Sequence, residues 1–330
     1  MTVSIIIAVK TWQKRLEECA AKCLALDYPD FEVIVLPDSE TWHGTDLAKS
    51  ITCATKRPVP VSIFPTGPVC PADKRDLALK YAKGEIIAFI DDDAYPQPDW
   101  LKNAVINFKD ESVAAVGGPA VTPAEDNLRQ QASGRVYASF LVSGTFVYRY
   151  VPKTKREVDD FPSCNFLVRK SAMQELGGFK TSFWPGEDTK FCLDITGKLK
   201  KKIIYDPKVL VFHHRRQLYL AHLAQVANYA LHRGYFVKKY PQTSLRFAYF
   251  MPSLFLLALF CGGIMSLFFP ALRLLYLSAT GLYLFSALIF SFNRDLRLMF
   301  LVFSGTILTH LAYGVYFIKG LLSLKLKEES

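Results

Sequence analysis

Three consecutive carboxylates, Asp91, Asp92 and Asp93, follow directly after the apolar run "IIAFI". Adjacent like charges repel, and each raises the pKa of its neighbours unless a positive group lies among them. A solvated turn is the simpler interpretation, because aspartates are common in turns and the neighbouring "PQPDW" is rich in turn residues. Taken alone, the cluster fits either a surface turn or a cation site.

A divalent cation among these aspartates would remove the repulsion, because Mg²⁺ and Mn²⁺ prefer carboxylate oxygens combined with substrate phosphates. The same cation would neutralise a departing diphosphate. We therefore interpret the cluster as a candidate site for a divalent metal, Mn²⁺ or Mg²⁺, and for a nucleotide-diphosphate donor. Basic side chains should also contact the phosphates, and the candidates are Arg75, Arg215 and Arg216.

The elements that must position these groups are short apolar strands alternating with helices. We predict strands at 3–9, 31–36, 60–65, 86–90 and 113–118, and helices at 15–26 and 72–82. Apolar strands that alternate with helices are typical of an α/β fold with a doubly wound, mostly parallel sheet. Ligands bind at the carboxyl ends of such strands, so Asp38, after the second strand, should converge with Asp91–Asp93. The sequence contains no GxGxxG or P-loop motif.

The composition indicates a membrane protein. Hydrophobic residues make up 51% of the 330 residues, and the mean hydropathy is +0.16. Three runs without Asp, Glu, Lys or Arg occupy 247–269, 274–292 and 298–318. Each has about the length that spans a bilayer, and none has the polar face of a soluble helical bundle. The runs therefore predict three membrane helices.

A basic stretch precedes these runs. Between Asp194 and Tyr240, ten Lys or Arg stand against two Asp. Anionic lipid headgroups are the favoured partner, since no nucleic-acid-binding motif accompanies the charge. Within this stretch, residues from 217 on place apolar side chains along one helical face, with His222, His232 and lysines at its flanks. That pattern predicts an amphipathic helix in the headgroup region.

The seven cysteines are scattered without a CxxC pair, which argues against a zinc site or disulfide framework and favours a reduced, cytosolic setting. The N-terminal "MTVSIIIAVK" lacks a basic region and is interpreted as a strand rather than a signal peptide. We expect a multi-pass membrane protein whose catalytic region faces the cytoplasm. Three full crossings would place Lys319, Lys325 and Lys327 outside, against the positive-inside tendency, so a re-entrant run and a tail that departs from the rule both stay open.

Several segments, between about Thr2 and Arg216, resemble the family-2 glycosyltransferases of the GT-A fold. "VSIIIAVK" resembles the opening strand, and "LDYPDFEVIVLPDS" resembles the unit that ends in a nucleotide-contacting Asp. "PADKRDLALKYAKGEIIAFIDDDAYPQPDWL" resembles the Arg-containing helix, strand and DxD motif that follow. "SCNFLVRKSAMQELGGF" is similar to the acceptor-side segment, "FWPGEDTKFC" to the ED motif, and "VLVFHH" to the strand that ends in a metal ligand.

The resemblance implies a role for each matching residue. Asp93 and Asp91 would ligate the metal together with His213 or His214, a pair that strand register leaves open. Asp188 would be the general base for an acceptor hydroxyl, supported by Glu187, although "GED" also fits a plain helix N-cap. Trp184 would stack on a sugar face or lie in the core. The donor-binding set would be Asp38, Arg75, Asp91, Asp92, Lys10, Arg215 and Arg216.

The sequence departs from the family pattern around the predicted base pocket. Ala8 replaces a usual Pro, Lys10 stands where a small or hydroxyl-bearing residue is common, and "LPDS" keeps one acidic residue where two often occur. The donor nucleotide, UDP, GDP or dTDP, therefore stays open. The basic "HHRR" also differs from the QxxRW of processive synthases such as those that make cellulose. With only three predicted C-terminal helices, we do not expect processive polymer export.

These observations predict an inverting transferase that moves a sugar to a hydroxyl of a lipid-linked or membrane-proximal glycan. The alternative is a polyprenyl-phosphate sugar synthase, whose phosphate acceptor needs no base. A non-catalytic membrane subunit is disfavoured by the intact acidic and histidine motifs. The predicted domains are a catalytic GT-A domain at 1–216, an interfacial helix and linker at 217–245, three membrane helices at 246–320 and a charged tail at 321–330.

Overall fold

A computed structural model of the protein describes residues 1–39 and 59–327. The chain forms two units. The first unit comprises Met1–Val121 and Val151–His214, and the second comprises Thr122–Tyr150 and Arg215–Ser330. The last three residues of the predicted tail, 328–330, and Cys53 lie outside the described residues. The six other cysteines are free thiols.

The first unit is built on a mixed sheet with the strand order β3-β2-β1-β4-β9-β6-β10-β8. Its strands are β1 Val3–Ala8, β2 Phe31–Leu36, β3 Val61–Ile63, β4 Ile86–Asp91, β6 Val113–Gly117, β8 Arg156–Val158, β9 Asn165–Arg169 and β10 Lys202–Tyr205. A smaller sheet, in the order β5-β11-β7, contains β5 Ala94–Pro96, β7 Ala120–Val121 and β11 Val211–His213.

The large sheet is less parallel than the sequence pattern predicts. Strands β3, β2, β1 and β4 pair parallel with one another in that order, and β6 pairs parallel with β10. Strand β9, however, pairs antiparallel with both β4 and β6, and β8 is an antiparallel edge. The α/β class is confirmed, and the antiparallel insertion of β9 brings a later segment of the chain beside β4.

The α-helices of the described chain are α1 Lys14–Leu24, α2 Pro71–Ala78, α3 Trp100–Val105, α4 Leu128–Ala138, α5 Phe140–Ser143, α6 Lys170–Leu176, α7 Glu187–Gly197, α8 Leu220–Lys239, α9 Pro241–Ser244, α10 Phe247–Phe268, α11 Pro270–Ser291 and α12 Leu296–Leu322. In the first unit, α1 buries a stripe that includes Leu16, Cys19 and Cys23 against the sheet. This spacing of three and four residues is the period of a helix with one buried face. The sheet and α1 thereby form the core that supports the strand ends.

In the second unit, α10, α11 and α12 are each long and apolar enough to cross a membrane. Many of their large apolar side chains are turned outward, and Phe260, Phe268 and Leu274 are 69%, 71% and 72% exposed. Outward apolar side chains are expected where hydrocarbon surrounds a helix. The prediction of three membrane-length helices is confirmed.

Helix α8 packs closely along α12 rather than presenting the apolar face predicted from its sequence. Leu220, placed on that face, is 89% exposed, whereas His222 and His232, placed at its flanks, are buried. Burial of His222 is tolerated because both ring nitrogens have hydroxyl partners: Ser133 Oγ lies 2.8 Å from Nδ1, and Thr309 Oγ1 lies 2.9 Å from Nε2. The predicted polarity of this helix was wrong at these positions.

The segment Thr122–Tyr150 belongs to the second unit, although the sequence pattern includes it in the predicted domain 1–216. It contains α4, α5 and a 3₁₀ helix at Gly144–Arg149. Asn127 begins α4 with a capping box, in which its side chain accepts hydrogen bonds from the backbone N–H groups of Arg129 and Gln130. Helix α4 then packs against α12. The predicted boundaries at 216, 245 and 320 stay predictions.

Candidate active site

Asp91, Asp93 and His213 gather at the carboxyl end of β4. One ligand atom from each of the three lies within 4.8 Å of the others, and His213 Nε2 is 3.1 Å from Asp93 Oδ1. The register explains the meeting, because β11 pairs antiparallel with β5 and sets His213 opposite Ala94, one residue beyond Asp93. Two carboxylates and an imidazole form a donor set that suits Mn²⁺, and the carboxylates also suit Mg²⁺. The residues present fit a divalent metal.

His214 points to a different partner. Its Nε2 lies 3.0 Å from Glu18 Oε2 on α1, and its backbone N–H donates to the Asp93 carbonyl at 3.0 Å. Successive side chains of an extended chain point to opposite sides, so only one of the two histidines can face the aspartates. Of the two alternatives left open by the sequence, the geometry favours His213.

Asp92 lies between the two candidate ligands but is bonded elsewhere. Its carboxylate accepts a hydrogen bond from the side-chain amide of Gln13, the residue that precedes α1. Burial, followed by the negative charges of Asp93 and Asp91, raises the pKa of Asp92 to about 7. Repulsion among three adjacent carboxylates, which the sequence predicts, therefore adds to burial in disfavouring the charged form of Asp92.

Arg75 joins two acidic motifs that are far apart in the sequence. The side chain is 6% exposed, its Nη2 lies 3.0 Å from Asp91 Oδ1, and its Nη1 lies 2.9 Å from Glu187 Oε1. Burial disfavours its charge, but Asp91, Glu187 and Asp188 outweigh that effect and raise the pKa of Arg75. Arg75 was predicted to contact donor phosphates; in the structure its guanidinium lies between two carboxylates.

Glu187 and Asp188 form the first turn of α7, where the helix dipole favours negative charge. Glu187 is buried, and its carboxylate accepts hydrogen bonds from Arg75 and, at 3.0 Å, from the backbone N–H of Gly186. Asp188 is only half-buried, and its Oδ1 accepts from the Thr189 backbone N–H at 2.7 Å. The pair thus contains one fixed carboxylate and one that solvent reaches more easily.

Asp38 is held by a lysine that the sequence analysis missed. Lys74 is 3% exposed, and its Nζ lies 2.5 Å from Asp38 Oδ1 while donating to the carbonyls of Val9 and Leu36 at 2.7 and 3.1 Å. The Asp38 backbone N–H donates to the Lys10 carbonyl at 3.2 Å, and the Lys10 side chain is exposed. The adjacent basic pair in "DKRD" was the available signal for Lys74.

The remaining predicted site residues are more dispersed. Trp184 is 51% exposed in the first unit, so it does not lie in the core. Arg215 and Arg216 belong to the second unit. There the Arg215 guanidinium lies 5.2 Å from the centre of the Tyr150 ring and its Nε donates to Thr122 Oγ1 at 3.4 Å, while Arg216 is exposed. Their predicted donor contacts stay predictions.

Comparison with known families agrees with this arrangement. The model of the family described as "Glycosyl transferase family 2" matches residues 4–177, which is 174 of the 330 residues. The chain belongs to glycosyltransferase family 2. The matched range contains Asp38, Arg75 and all three aspartates of the cluster, and the resemblance stated from the sequence is confirmed.

Curated relatives of this family-2 glycosyltransferase match parts of it. The "Pre-mycofactocin glycosyltransferase" of Mycobacterium tuberculosis is 30% identical over 149 residues, which cover 45% of this chain and 31% of that protein. This chain therefore spans about a third of the length of that relative. A Methanococcus voltae enzyme, named as a glucuronosyltransferase that acts on dolichyl N-acetyl-glucosaminyl phosphate, is 22% identical over 251 residues and is covered to 74%.

Among solved structures, this family-2 glycosyltransferase is similar to the mannosyltransferase PcManGT from Pyrobaculum calidifontis, which was solved with GDP-mannose and Mn²⁺. The match has a TM-score of 0.66 and 19% identity, and it covers 98% of this chain and 88% of that one. At this identity the likeness speaks for the fold alone. The predicted GT-A fold with a following helical membrane region is thereby confirmed.

Proposed function

We propose that this chain is an inverting, metal-dependent enzyme that transfers one sugar from a nucleotide-diphosphate donor to a hydroxyl of a lipid-linked or membrane-proximal glycan. The observation that carries the proposal is the bridge through Arg75. It ties the carboxylate–histidine group, which suits a metal and diphosphate, to Glu187 and Asp188, which suit an acceptor. Both halves of a transfer site thus meet at one buried guanidinium.

The donor half uses the carboxyl ends of β2, β4 and β11. Asp91, Asp93 and His213 would hold a divalent metal, which when bound neutralises the charge of the departing nucleoside diphosphate. Asp38, fixed by Lys74, is suited to accept hydrogen bonds from the nucleoside. The GDP-mannose and Mn²⁺ bound by the Pyrobaculum neighbour support a donor and metal of these classes.

The acceptor half uses the first turn of α7. Asp188 would take the proton of the acceptor hydroxyl as that oxygen attacks the anomeric carbon from the face opposite the nucleotide, which inverts the configuration. Glu187 cannot serve this role as readily, because it is buried and engaged by Arg75 and Gly186. Glu187 and Arg75 instead fix the start of α7, and the exposed Trp184 would stack on the acceptor sugar.

A membrane-embedded acceptor gives the three membrane-length helices a function, because an enzyme held at the bilayer meets its lipid-linked substrate in two dimensions. The Methanococcus relative, whose name specifies a dolichyl-linked acceptor, supports this class of substrate. The catalytic unit would face the cytoplasm, where nucleotide sugars are made.

The experiment that tests this function compares purified wild-type protein with Asp188→Asn. Nucleotide release from UDP-, GDP- and dTDP-sugars is followed with Mn²⁺ or EDTA, with and without a membrane lipid extract. We expect metal-dependent release that rises with lipid and falls at least about 100-fold in Asp188→Asn, because a positioned base contributes on that scale.

Two results would contradict the proposal. Release that survives in Asp188→Asn, with polyprenyl phosphate as acceptor, would support the phosphate-acceptor alternative. Absence of donor binding in both the presence and the absence of metal would remove the donor half and favour a non-catalytic membrane subunit. Asp194→Asn is the matched control, because this acidic residue of the same helix pairs with Lys190 and Lys198 and has no predicted contact with substrate.

A further inference from the structure

Three arginines of the second unit surround one pair of stacked aromatic rings. Phe146 and Tyr249 lie 5.4 Å apart between ring centres, with their planes inclined by 5°. The guanidiniums of Arg149 and Arg246 lie 4.9 and 6.0 Å from the centre of the Phe146 ring, and that of Arg233 lies 4.8 Å from the Tyr249 ring. These five residues are called the arginine–aromatic cluster.

The cluster lies where a membrane-length helix begins. Arg246 directly precedes α10, and Tyr249 belongs to its first turn. Arg233 comes from α8, and Arg149 ends the 3₁₀ helix at Gly144–Arg149. Arginine and tyrosine are typical of the level at which a helix passes from water into hydrocarbon, which is also the level of lipid phosphates.

The surroundings of the cluster favour an anion. Helix α10 starts without a side-chain cap, and the positive end of its dipole lies at Arg246, the residue that precedes its first turn. The Tyr249 hydroxyl is buried and has no hydrogen-bond partner among the described residues. A phosphate oxygen accepts hydrogen bonds from guanidinium and hydroxyl groups, which distinguishes this place from a merely basic surface.

The charge of the chain is concentrated in the unit that holds the cluster. The ranges of the second unit contain 15 Lys and Arg against 5 Asp and Glu, so its formal charge is +10. The whole chain is also +10, with 40 basic and 30 acidic residues, so the first unit is neutral with 25 of each. Attraction of anions is therefore a property of the membrane-helix unit.

We propose that the arginine–aromatic cluster binds the phosphate of the lipid-linked acceptor, at the boundary between its polyprenyl chain and its sugars. This inference rests on the proposed function and adds the group by which the acceptor is held. The three arginines come from three separate segments and each lies within 6.0 Å of the centre of one ring of the stacked pair, whereas retention of bulk anionic lipid needs only a diffuse basic face. Arginine suits the role because its planar fork binds phosphate oxygens in pairs.

The test measures binding of undecaprenyl phosphate to the full-length protein in detergent, with undecaprenol as the phosphate-free probe. The variants are Arg149→Gln, Arg233→Gln and Arg246→Gln. The matched control is Arg273→Gln, because Arg273 lies in the first turn of α11, beyond the far end of α10, and its Nε donates to the Ser266 carbonyl at 3.0 Å. We expect each cluster variant to bind undecaprenyl phosphate about tenfold or more weakly, as for other charged hydrogen bonds.

Undecaprenol should bind weakly to the wild type and to all variants, and Arg273→Gln should bind the phosphate like the wild type. Equal losses in Arg273→Gln and the cluster variants would overturn the proposal, because they would show a general charge effect. Competition by phosphatidylglycerol at the same concentration as undecaprenyl phosphate would also overturn it, since the site would then take any headgroup phosphate. Circular dichroism, with Arg→Lys variants alongside, separates loss of binding from loss of fold.

Nucleotide release from the sugar donor is measured on the same preparations, so that the two proposals fail separately. Cluster variants should keep the Michaelis constant for the donor and raise only that for the lipid acceptor. If the wild type transfers sugar and the cluster variants do so with an unchanged acceptor constant, the phosphate site is wrong and the proposed function stands. If the wild type releases no nucleotide under any metal, the proposed function fails, and phosphate binding by the cluster is judged on the binding data alone.

Discussion

The Arg75 guanidinium has one ion-pair partner in each of the two acidic motifs of this glycosyltransferase. Its partners, Asp91 and Glu187, are separated by almost a hundred residues in sequence, and both contacts are about 3 Å long. A lysine at this position would keep the charge but could not bond two carboxylates in opposite directions with a rigid fork. Arg75 is thus a positioning residue for the start of α7, and geometry rather than charge alone should decide its effect.

We expect Arg75→Lys to lower kcat by about 100-fold, since displacement of a catalytic group by about 1 Å costs on that order. The donor Michaelis constant should change much less. Arg75→Met should additionally destabilise the fold by about 3–5 kcal/mol, because it leaves the buried carboxylate of Glu187 without its cation. Steady-state kinetics with thermal melts of both variants check this. A wild-type kcat in Arg75→Lys would contradict the positioning role.

The adjacent histidines offer a matched pair for the metal site. His213→Ala should weaken Mn²⁺ binding by at least about tenfold, because it removes a candidate ligand. His214→Ala, which removes an adjacent imidazole bonded to Glu18, should leave the Mn²⁺ affinity close to that of the wild type. Calorimetric titration of both variants with Mn²⁺ measures the difference. The reverse order of affinities would show that the register of β11 differs from that described.

The sequence shows most of the candidate site residues but few of the contacts between them. The three aspartates and "GED" are visible as motifs, but nothing in the spacing says that Arg75 joins them. Lys74 was missed because a buried lysine is rare, and its burial depends on two backbone carbonyls, that of Val9 just after β1 and that of Leu36 at the end of β2. Such contacts depend on the tertiary fold, which local sequence does not contain.

At the scale of elements, helix α8 is joined to α12 by close backbone contact. A Cβ atom at Gly320 would lie 1.9 Å from the Leu231 carbonyl oxygen, and one at Gly234 would lie 2.1 Å from the Phe317 oxygen. Both obstacles are backbone atoms, so relief requires the two helices to separate. The pair of glycines explains how α8 can approach α12 so closely.

We expect Gly320→Ala to lower the thermal unfolding midpoint of the protein, because the added methyl group pushes α8 away from α12. Gly281→Ala is the matched control, since nothing lies within 4 Å of a Cβ at that position of α11. Alanine favours a helix over glycine by about 1 kcal/mol, so the control should be neutral or slightly stabilised. Melting curves in the same detergent measure both. A midpoint in Gly320→Ala equal to that of the control would contradict the described contact.

The buried His222 should make stability depend on pH. Burial, followed by the nearby charge of Arg215, lowers the pKa of His222 to about 4. In the unfolded chain His222 binds a proton below about pH 6.5, whereas in the folded protein it does so only below about pH 4. The stability that neutral His222 contributes is therefore complete above about pH 6.5 and is lost as the pH falls through about 4. The difference between these two pKa values corresponds to about 3 kcal/mol of unfolding free energy.

The measurement compares unfolding midpoints between pH 7.5 and 4 for the wild type and His222→Gln. The variant should be less stable at pH 7.5, because glutamine fits the Ser133 and Thr309 hydroxyls less well, but its midpoint should fall less steeply with acid. His232→Gln controls for removal of a second buried histidine on the same helix. If the unfolding midpoints of the wild type and His222→Gln fell equally with pH, the pH dependence could not come from the lowered pKa of His222.

The elements themselves were largely predictable. Apolar strands such as "IIAFI" and uncharged runs such as 298–318 have strong local patterns, and the structure contains both. Strand β9 was not predicted, because its antiparallel place between β4 and β6 is a matter of topology rather than periodicity. The predicted place of His222 at a flank of α8 was wrong, because the hydroxyl groups that allow its burial, Ser133 and Thr309, come from two other helices.

At the scale of the whole molecule, the two units do not follow one another along the chain as an N-terminal domain and a C-terminal helical region. The chain passes between the units at residues 121–122, 150–151 and 214–215. Within the second unit, Thr122–Tyr150 is tied to the tail by contacts such as Ser133 with His222 and His310 Nε2 with the Leu141 carbonyl at 3.1 Å. A neutral unit and a strongly basic one therefore share one chain.

We expect a chain ended after His214 to aggregate, because the apolar faces of α4 and α5 would lose their partners. Replacing residues 122–150 of that shortened chain by a flexible Gly/Ser linker should yield a soluble, monomeric protein, since the first unit has its own sheet and core. Size-exclusion chromatography with dye binding to exposed apolar surface compares the two. Equal solubility would show that Thr122–Tyr150 does not depend on the tail.

The same interleaving has a consequence for the order of synthesis. A ribosome makes Thr122–Tyr150 before it has made α8 or α12, against which that segment packs. The nascent chain can complete most of its sheet while α4 and α5 still have no surface to fold on. Helices α4 and α5 must then stay unpacked, bound by a chaperone or by lipid, until α12 has been inserted.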